Sequence, residues 1–192
     1  MNWSERWFDL EGKRLSLKPT VLADYEGLAA TVDDKTFQHF LGGPNFSSVE
    51  SFAPFLKNDT STAYTMRLRE TGEIAGCSSF MDQRESHRAV EIGCTWIAAK
   101  WRGTYVNPEA KLLMLQHGFE GLDCVRVQLK CDGRNERSAN AIAKLGAQFE
   151  GRLRNYGILP DGYVRDTLMY SVLDKEWPDV RARLESRLLG LT

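Results

Sequence analysis

The stretch Ala98–Gly121, AAKWRGTYVNPEAKLLMLQHGFEG, decides how this chain folds. An apolar strand-like run ends in it, a basic glycine turn follows, and a long amphipathic segment opens at once. A turn needs a glycine such as Gly103. It does not need a lysine and an arginine, Lys100 and Arg102, placed where a helix is about to begin. Free N–H groups at a helix start, with cations beside them, make an anion site. The same stretch carries a second helix signal. Asn107-Pro108 suits a cap followed by a first helical residue, so the pattern predicts a helix over Pro108–Phe119. Leu112, Leu113, Met114 and Leu115 are consecutive, so that helix must be covered on more than one side.

Strand patterns precede this stretch. Lys13–Pro19 alternates and ends at a proline. Thr20–Asp34 has a helical pattern, with Val21, Tyr25 and Leu28 on one face. Ser48–Asp59 predicts a short helix interrupted by Pro54. Thr62–Arg69, Glu73–Met81 and His87–Ala98 predict three antiparallel strands, joined by RETGE and DQRES. After the helix, Cys124–Lys130 alternates again, with Val125, Val127 and Leu129 on one face. Asn135–Ala147 is helix-like, with Asn135 as cap, Glu136 in the first turn and Gly146 at the end. Gln148–Leu159 and Val164–Leu173 are strands separated by the turn PDG. Val180, Leu184 and Leu188 mark a terminal helix within 175–192 that covers the core or forms a dimer contact. The unit Val90–Leu129 requires a parallel crossover. The expectation is an α+β domain spanning 1–192, with a mixed, mostly antiparallel sheet of about seven strands flanked by helices.

Composition narrows the function. The chain has 192 residues, 42% hydrophobic and 27% charged, with a formal net charge of −1. A chain of this length buries roughly 70% of its unfolded surface, and its charge supplies no global attraction for nucleic acid. The N-terminus reads as neither a signal peptide nor a span, which leaves the cytoplasm as the expected location. Cys77, Cys94, Cys124 and Cys131 form no C-x-x-C pair, and His39, His87 and His117 complete no zinc pattern. No metal is expected, and the cysteines read as buried free thiols. Neither a P-loop nor a Rossmann fingerprint is present.

Three segments in this order resemble one known family. They are VEIGCTWIAAKWRGTYVNPEAKLLMLQHGFE (from Val90), VRVQLKCDGRNERSANAIAKLGAQFEG (from Val125) and LPDGYVRDTLMYSVLDKEW (from Leu159). Together, over about Leu10–Trp177, the chain looks like the Gcn5-related N-acetyltransferase (GNAT) superfamily, in the branch that acetylates N-terminal amines of ribosomal proteins. The resemblance implies acetyl-CoA as cosubstrate and direct transfer of its acetyl group to a primary amine. It implies a pyrophosphate loop whose motif positions fall on Lys100, Gly103 and Tyr105. Tyr105 departs from the small residue usual there. Arg102, Gly103, Thr104 and Tyr105 would give backbone donors, and Asn107 fits the branch.

The resemblance further implies a splayed strand along which pantetheine pairs with Cys94, Thr95, Trp96 and Ile97. A backbone N–H there would polarise the thioester. Glu91 is the implied general base and Ser138 the group that stabilises the departing thiolate. Asn135 would contact the pantetheine arm, and Asn140 and Lys144 the nucleotide end. Each has a plainer reading: ion pair for Glu91, early-helix cap for Ser138, helix cap for Asn135. Tyr156 and Tyr170 are alternative acids, and Arg165–Asp166 an ion pair setting the last hairpin. The acceptor is a protein N-terminus or a small-molecule amine, the assembly a monomer or homodimer. The competing class is a protein of this fold that binds acyl-CoA or a partner without turnover.

Overall fold

The structure is a computed structural model that describes residues 3–56 and 59–191. The end of the expected helix Ser48–Asp59 at Lys57 and Asn58, and the end of the tail at Thr192, lie outside the described residues. The strands are β1 (Leu10–Glu11), β2 (Leu15–Pro19), β3 (Thr62–Leu68), β4 (Ile74–Arg84), β5 (Ala89–Ile97), β6 (Arg126–Asp132), β7 (Gln148–Ile158) and β8 (Val164–Leu173). They form one eight-stranded sheet in the order β1-β2-β3-β4-β5-β6-β8-β7. The extra strand over the expected number is β1, only two residues long, too short to show alternation.

Pairing is antiparallel throughout except between β5 and β6. The helix α3 (Val106–Gln116) makes that one crossover, as strands lying parallel require. It continues into a π-helical turn, His117–Gly121. The other helices are α1 (Tyr25–Ala29), α2 (Val49–Leu56), α4 (Glu136–Ala143) and α5 (Trp177–Leu189).

Two apolar clusters lie about the sheet. Ile92, Val127 and Met66 pack with Met114 and Leu115 of α3 and with Val180 and Leu184 of α5. Trp96 and Cys77 pack with Leu28 of α1 and Phe52 of α2. Leu112 and Leu113 are half-buried against the first cluster, so α3 is covered beyond one stripe, as four consecutive apolar residues demand. The expected helix Thr20–Asp34 is instead a 3₁₀ turn, Leu22–Asp24, followed by the five residues of α1. Val21 is exposed rather than on the buried face with Leu28. The carboxylate of Asp24 fixes that turn: it accepts from the Val21 N–H at 3.2 Å and the Thr65 hydroxyl at 2.7 Å, tying it to β3.

Candidate active site

The strands β5 and β6 pair only over Ala89–Glu91 with Arg126–Gln128. Beyond that rung they separate. Ile92–Ile97 is then unpaired on this side, as is the end of β6. On its other side β5 also departs from regular pairing. Cys77 of β4 faces Trp96, but Ser79 faces Gly93, so Cys94 and Thr95 together oppose one residue. Cys94 sits at φ 45, the left-handed conformation of such a bulge. At Gly93 before it a Cβ would come within 2.8 Å of Glu91 Oε1 and 2.9 Å of Met81 Sδ, so those two side-chain ends would have to shift.

A cavity of about 620 Å³ occupies the gap. Its walls are the splayed part of β5, the end of β6, the first turns of α3 and α4, Arg165 of β8 and the segment 35–43. Of the residues singled out from sequence, Glu91, Cys94, Thr95, Trp96, Ile97 and Arg102 line it. So do Gly103, Asn107, Asn135 and Ser138.

Glu91 is almost fully buried. Its Oε2 accepts from Gln128 Nε2 at 3.1 Å and pairs with Lys130 Nζ at 2.9 Å. Burial opposes the charge on Lys130, but the neighbouring Glu91 carboxylate outweighs it and holds the lysine pKa above its ordinary value. Asn135 caps α4, its Oδ1 accepting from the Ser138 N–H at 3.0 Å. That leaves the Ser138 hydroxyl free of capping duty, on the cavity wall.

The glycine turn holds an anion-ready edge. Gly103 is at φ 82 with open space where a Cβ would sit. Among the described contacts, the N–H groups of Gly103, Thr104 and Tyr105 meet no backbone acceptor. The helix starts at Val106, with Tyr105 in the cap position, so Asn107 lies inside the first turn rather than capping it. Pro108 then falls at the third helical position, where its missing N–H still costs no helical bond. Thr104 supplies the side-chain oxygen near the start, 3.3 Å from the Val106 N–H.

Five sequence candidates do not line the cavity. Lys100 is exposed and pairs with Glu73 at 2.7 Å. Thr104 hydrogen-bonds to the Trp101 carbonyl at 2.8 Å. The Tyr105 ring lies under the Arg14 guanidinium at 3.8 Å. Asn140 and Lys144 sit on the exposed face of α4, because the 3.6-residue period brings Ser138, Ala141 and Ile142 inward instead. Arg102 is on the wall but is not a free cation. It donates to the Ile97 carbonyl at 2.9 Å and pairs with Asp33 at 3.1 Å.

The two alternative acids also lie off the cavity. Tyr156 is exposed beside Lys130, and Tyr170 is buried in the core, where burial raises its pKa. The expected Arg165–Asp166 pair does not form. Neighbours on a strand face opposite sides, so Arg165 turns inward to donate to the His39 carbonyl at 2.9 Å while Asp166 meets Arg152.

Reading by pattern missed Lys111, Lys130, Asp132 and Arg137, all on the cavity wall. Lys111 carried a signal: it is a lysine four residues after Asn107, immediately before the apolar run Leu112–Leu115. Its Nζ donates to Ser78 Oγ at 2.9 Å and Thr95 Oγ1 at 2.6 Å, and burial pushes its pKa down to about 7. The cysteines offer no thiolate. Burial pushes Cys94 up to about 12 and Cys77 well above its ordinary range. Among the described residues, no helix is long and apolar enough to cross a membrane. No cluster of His, Cys, Asp and Glu there could hold a metal ion.

An unpaired strand edge, a bulge and a glycine anion edge around one cavity fit an extended amide-bearing chain ending in phosphate. Comparisons with known proteins agree. Residues 14–148 match the family model described as acetyltransferase (GNAT) domain. The chain is 28% identical over 171 residues to the uncharacterized N-acetyltransferase YoaA of Bacillus subtilis, covering 85% of this chain and 96% of that protein. It superposes on a GCN5-related N-acetyltransferase from Brucella melitensis with a TM-score of 0.85 and 26% identity, over 95% of this chain and 86% of that one. It also shares the fold of Mycobacterium smegmatis RimJ in complex with CoA-disulfide, with a TM-score of 0.75 at 20% identity, over 94% and 91% of the two chains. The chain belongs to the GNAT acetyltransferase family, enzymes of acyl transfer that use acetyl-CoA.

Proposed function

We propose that the protein transfers the acetyl group of acetyl-CoA to a single primary amine, the N-terminal amine of a protein chain. The observation that carries this reading is the charge of the cavity wall. Its two carboxylates, Glu91 and Asp132, are both engaged, by Lys130 at 2.9 Å and Arg134 at 2.9 Å. Lys35, Arg137 and Arg165 add only positive charge. Such a wall repels a polyamine or aminoglycoside, whose additional ammonium groups need free carboxylates. An N-terminal amine brings one charge and loses it before attack.

In this reading Glu91 accepts the proton of the acceptor amine through water. The unpaired β5 backbone at Cys94–Ile97 holds the pantetheine amides and donates to the thioester carbonyl as charge develops on it. The Gly103–Tyr105 N–H groups receive the diphosphate, with Arg102 and Asn107 beside them. The Ser138 hydroxyl hydrogen-bonds to the departing thiolate, and Asn135 keeps that helix end in place.

The test is thiol release from acetyl-CoA across three acceptor sets: peptides with free N-termini, the same peptides N-terminally blocked, and small amines including polyamines. Turnover confined to free N-termini is expected. Turnover on a compact small amine, with peptides inert, would move the protein to the small-molecule class. Binding of acetyl-CoA without thiol release on any set would mark a non-catalytic acyl-CoA-binding protein.

A further inference from the structure

Lys111 is a buried amine for which the transfer scheme has no use. It lies in the second turn of α3, 5% exposed, on the wall of the cavity that also holds Cys94 and Thr95. Among the described residues it forms no ion pair; its partners are two hydroxyls, Ser78 Oγ at 2.9 Å and Thr95 Oγ1 at 2.6 Å. Those hydroxyls also bond to each other at 2.7 Å, and the Gly93 carbonyl lies 3.5 Å from Ser78 Oγ and 3.4 Å from Thr95 Oγ1.

The donor count is informative. One hydroxyl donates to the other, and the second donates to Gly93. An uncharged amine then places its two N–H groups on the two hydroxyl oxygens, and every donor has an acceptor. A third N–H, as on an ammonium, would find no acceptor in this cluster. The titratable groups facing it, Cys77 from β4 and Cys94 from β5, have thiol pKa values raised by burial and supply no charge to hold an ammonium. The cluster therefore suits a neutral lysine with an unshared lone pair, beside the bulge of the splayed strand.

We propose that Lys111 is a self-acetylation site, taking an acetyl group from acetyl-CoA seated in the β5–β6 gap. The proposal rests on the acetyl-CoA reading of that gap. In the step, the Nζ lone pair attacks the thioester carbonyl carbon and a C–N bond forms. The C–S bond breaks with its electron pair going to sulfur, and the proton lost by nitrogen ends on the CoA thiol. No other reactant is needed. The product amide keeps one N–H where the amine had two, so one of its two hydroxyl bonds is lost. Its acetyl group takes up space in the cavity, which makes the modification self-limiting and inhibitory.

The test incubates the full-length protein with acetyl-CoA at neutral pH, without acceptor, and follows Lys111 by peptide mass mapping. Calorimetric titration with CoA on the same preparation measures binding independently. A neutral, pre-positioned amine should be acetylated on the order of 100-fold faster than any surface lysine, and excess CoA should slow it. Acetyl phosphate, a donor without the CoA handle, should reverse that order and favour exposed lysines. Lys111→Arg and Lys111→Met should lose the modification. The wild-type peptide map carries the result even if a variant fails to fold. CoA binding with Lys111 unmodified, or modified no faster than surface lysines, overturns self-acetylation and leaves the acetyltransferase reading standing. No CoA binding to the folded protein overturns both.

Discussion

The Glu91 carboxylate and the Lys130 ammonium pair at 2.9 Å across the point where β5 and β6 part. Glu91 belongs to the last paired rung, opposite Gln128, and Lys130 lies two residues further along β6. The ion pair thus closes the inner end of the gap and holds the carboxylate on its wall. Replacing Glu91 with Gln should lower kcat about 100- to 1,000-fold while the KM for acetyl-CoA changes by less than about threefold, as loss of a general base requires. Unchanged kcat in a folded variant would reduce Glu91 to a structural residue.

Removing the other partner has a different signature. Lys130→Met leaves a buried carboxylate uncompensated and should cost about 3 kcal/mol of stability, read from the denaturant midpoint. A stability within experimental error of the parent would show that Gln128 alone suffices to hold Glu91.

Lys111 makes stability depend on pH in a specific direction. Its pKa is about 7 in the fold against an ordinary 10.5. Between those values the unfolded chain binds a proton that the folded chain does not, so unfolding takes up protons and stability rises with pH. The destabilisation is fully present below the folded value and is relieved as pH climbs toward the unfolded one. Thermal unfolding from pH 7 to 10 should show this upward contribution in the parent, and Lys111→Met should lack it. At pH 6 the variant should be the more stable by about 1–3 kcal/mol, since it no longer buries an amine. Parallel pH profiles for the two proteins would show that the lysine is not desolvated.

Two glycines separate a packing requirement from a functional one. At Gly76 of β4 a Cβ would lie 2.2 Å from the Trp96 carbonyl oxygen, which is backbone and cannot turn aside. Gly76→Ala should cost about 3 kcal/mol or more and reduce soluble yield. At Gly103 the space is open but φ is 82. Gly103→Ala should cost only about 1 kcal/mol yet weaken acetyl-CoA binding about tenfold by disturbing the N–H edge. Calorimetry and thermal unfolding on the pair check both; acetyl-CoA affinity unaltered in Gly103→Ala would detach that turn from phosphate binding.

Much of the fold was legible in local pattern. The β3–β4–β5 meander shows in alternating runs punctuated by turn residues, and α4 in a cap, an acidic first turn and a closing glycine. Those features depend on residues a few positions apart, so sequence order states them directly. The short elements were not legible: β1 is too brief for a period, and the turn before α1 is tied through Asp24 to Thr65 of β3, a partner 41 residues away.

The site divides along the same line. By itself the sequence determined that a strand, a glycine turn and a helix follow one another, that the strand carries Glu91, Gly93 and Cys94, and that Asn135 caps the helix bearing Ser138. Only the tertiary structure decided which charges are free and which face the cavity. Lys100 and Arg102 are spent on Glu73 and Asp33, Asn140 and Lys144 turn to solvent, and Arg165 turns inward. Lys111 finds Ser78 and Thr95 on two different strands. The physical reason is that hydrogen bonds and desolvation are set by what lies within a few ångströms in space. Those neighbours come from segments that only the sheet's pairing order brings together.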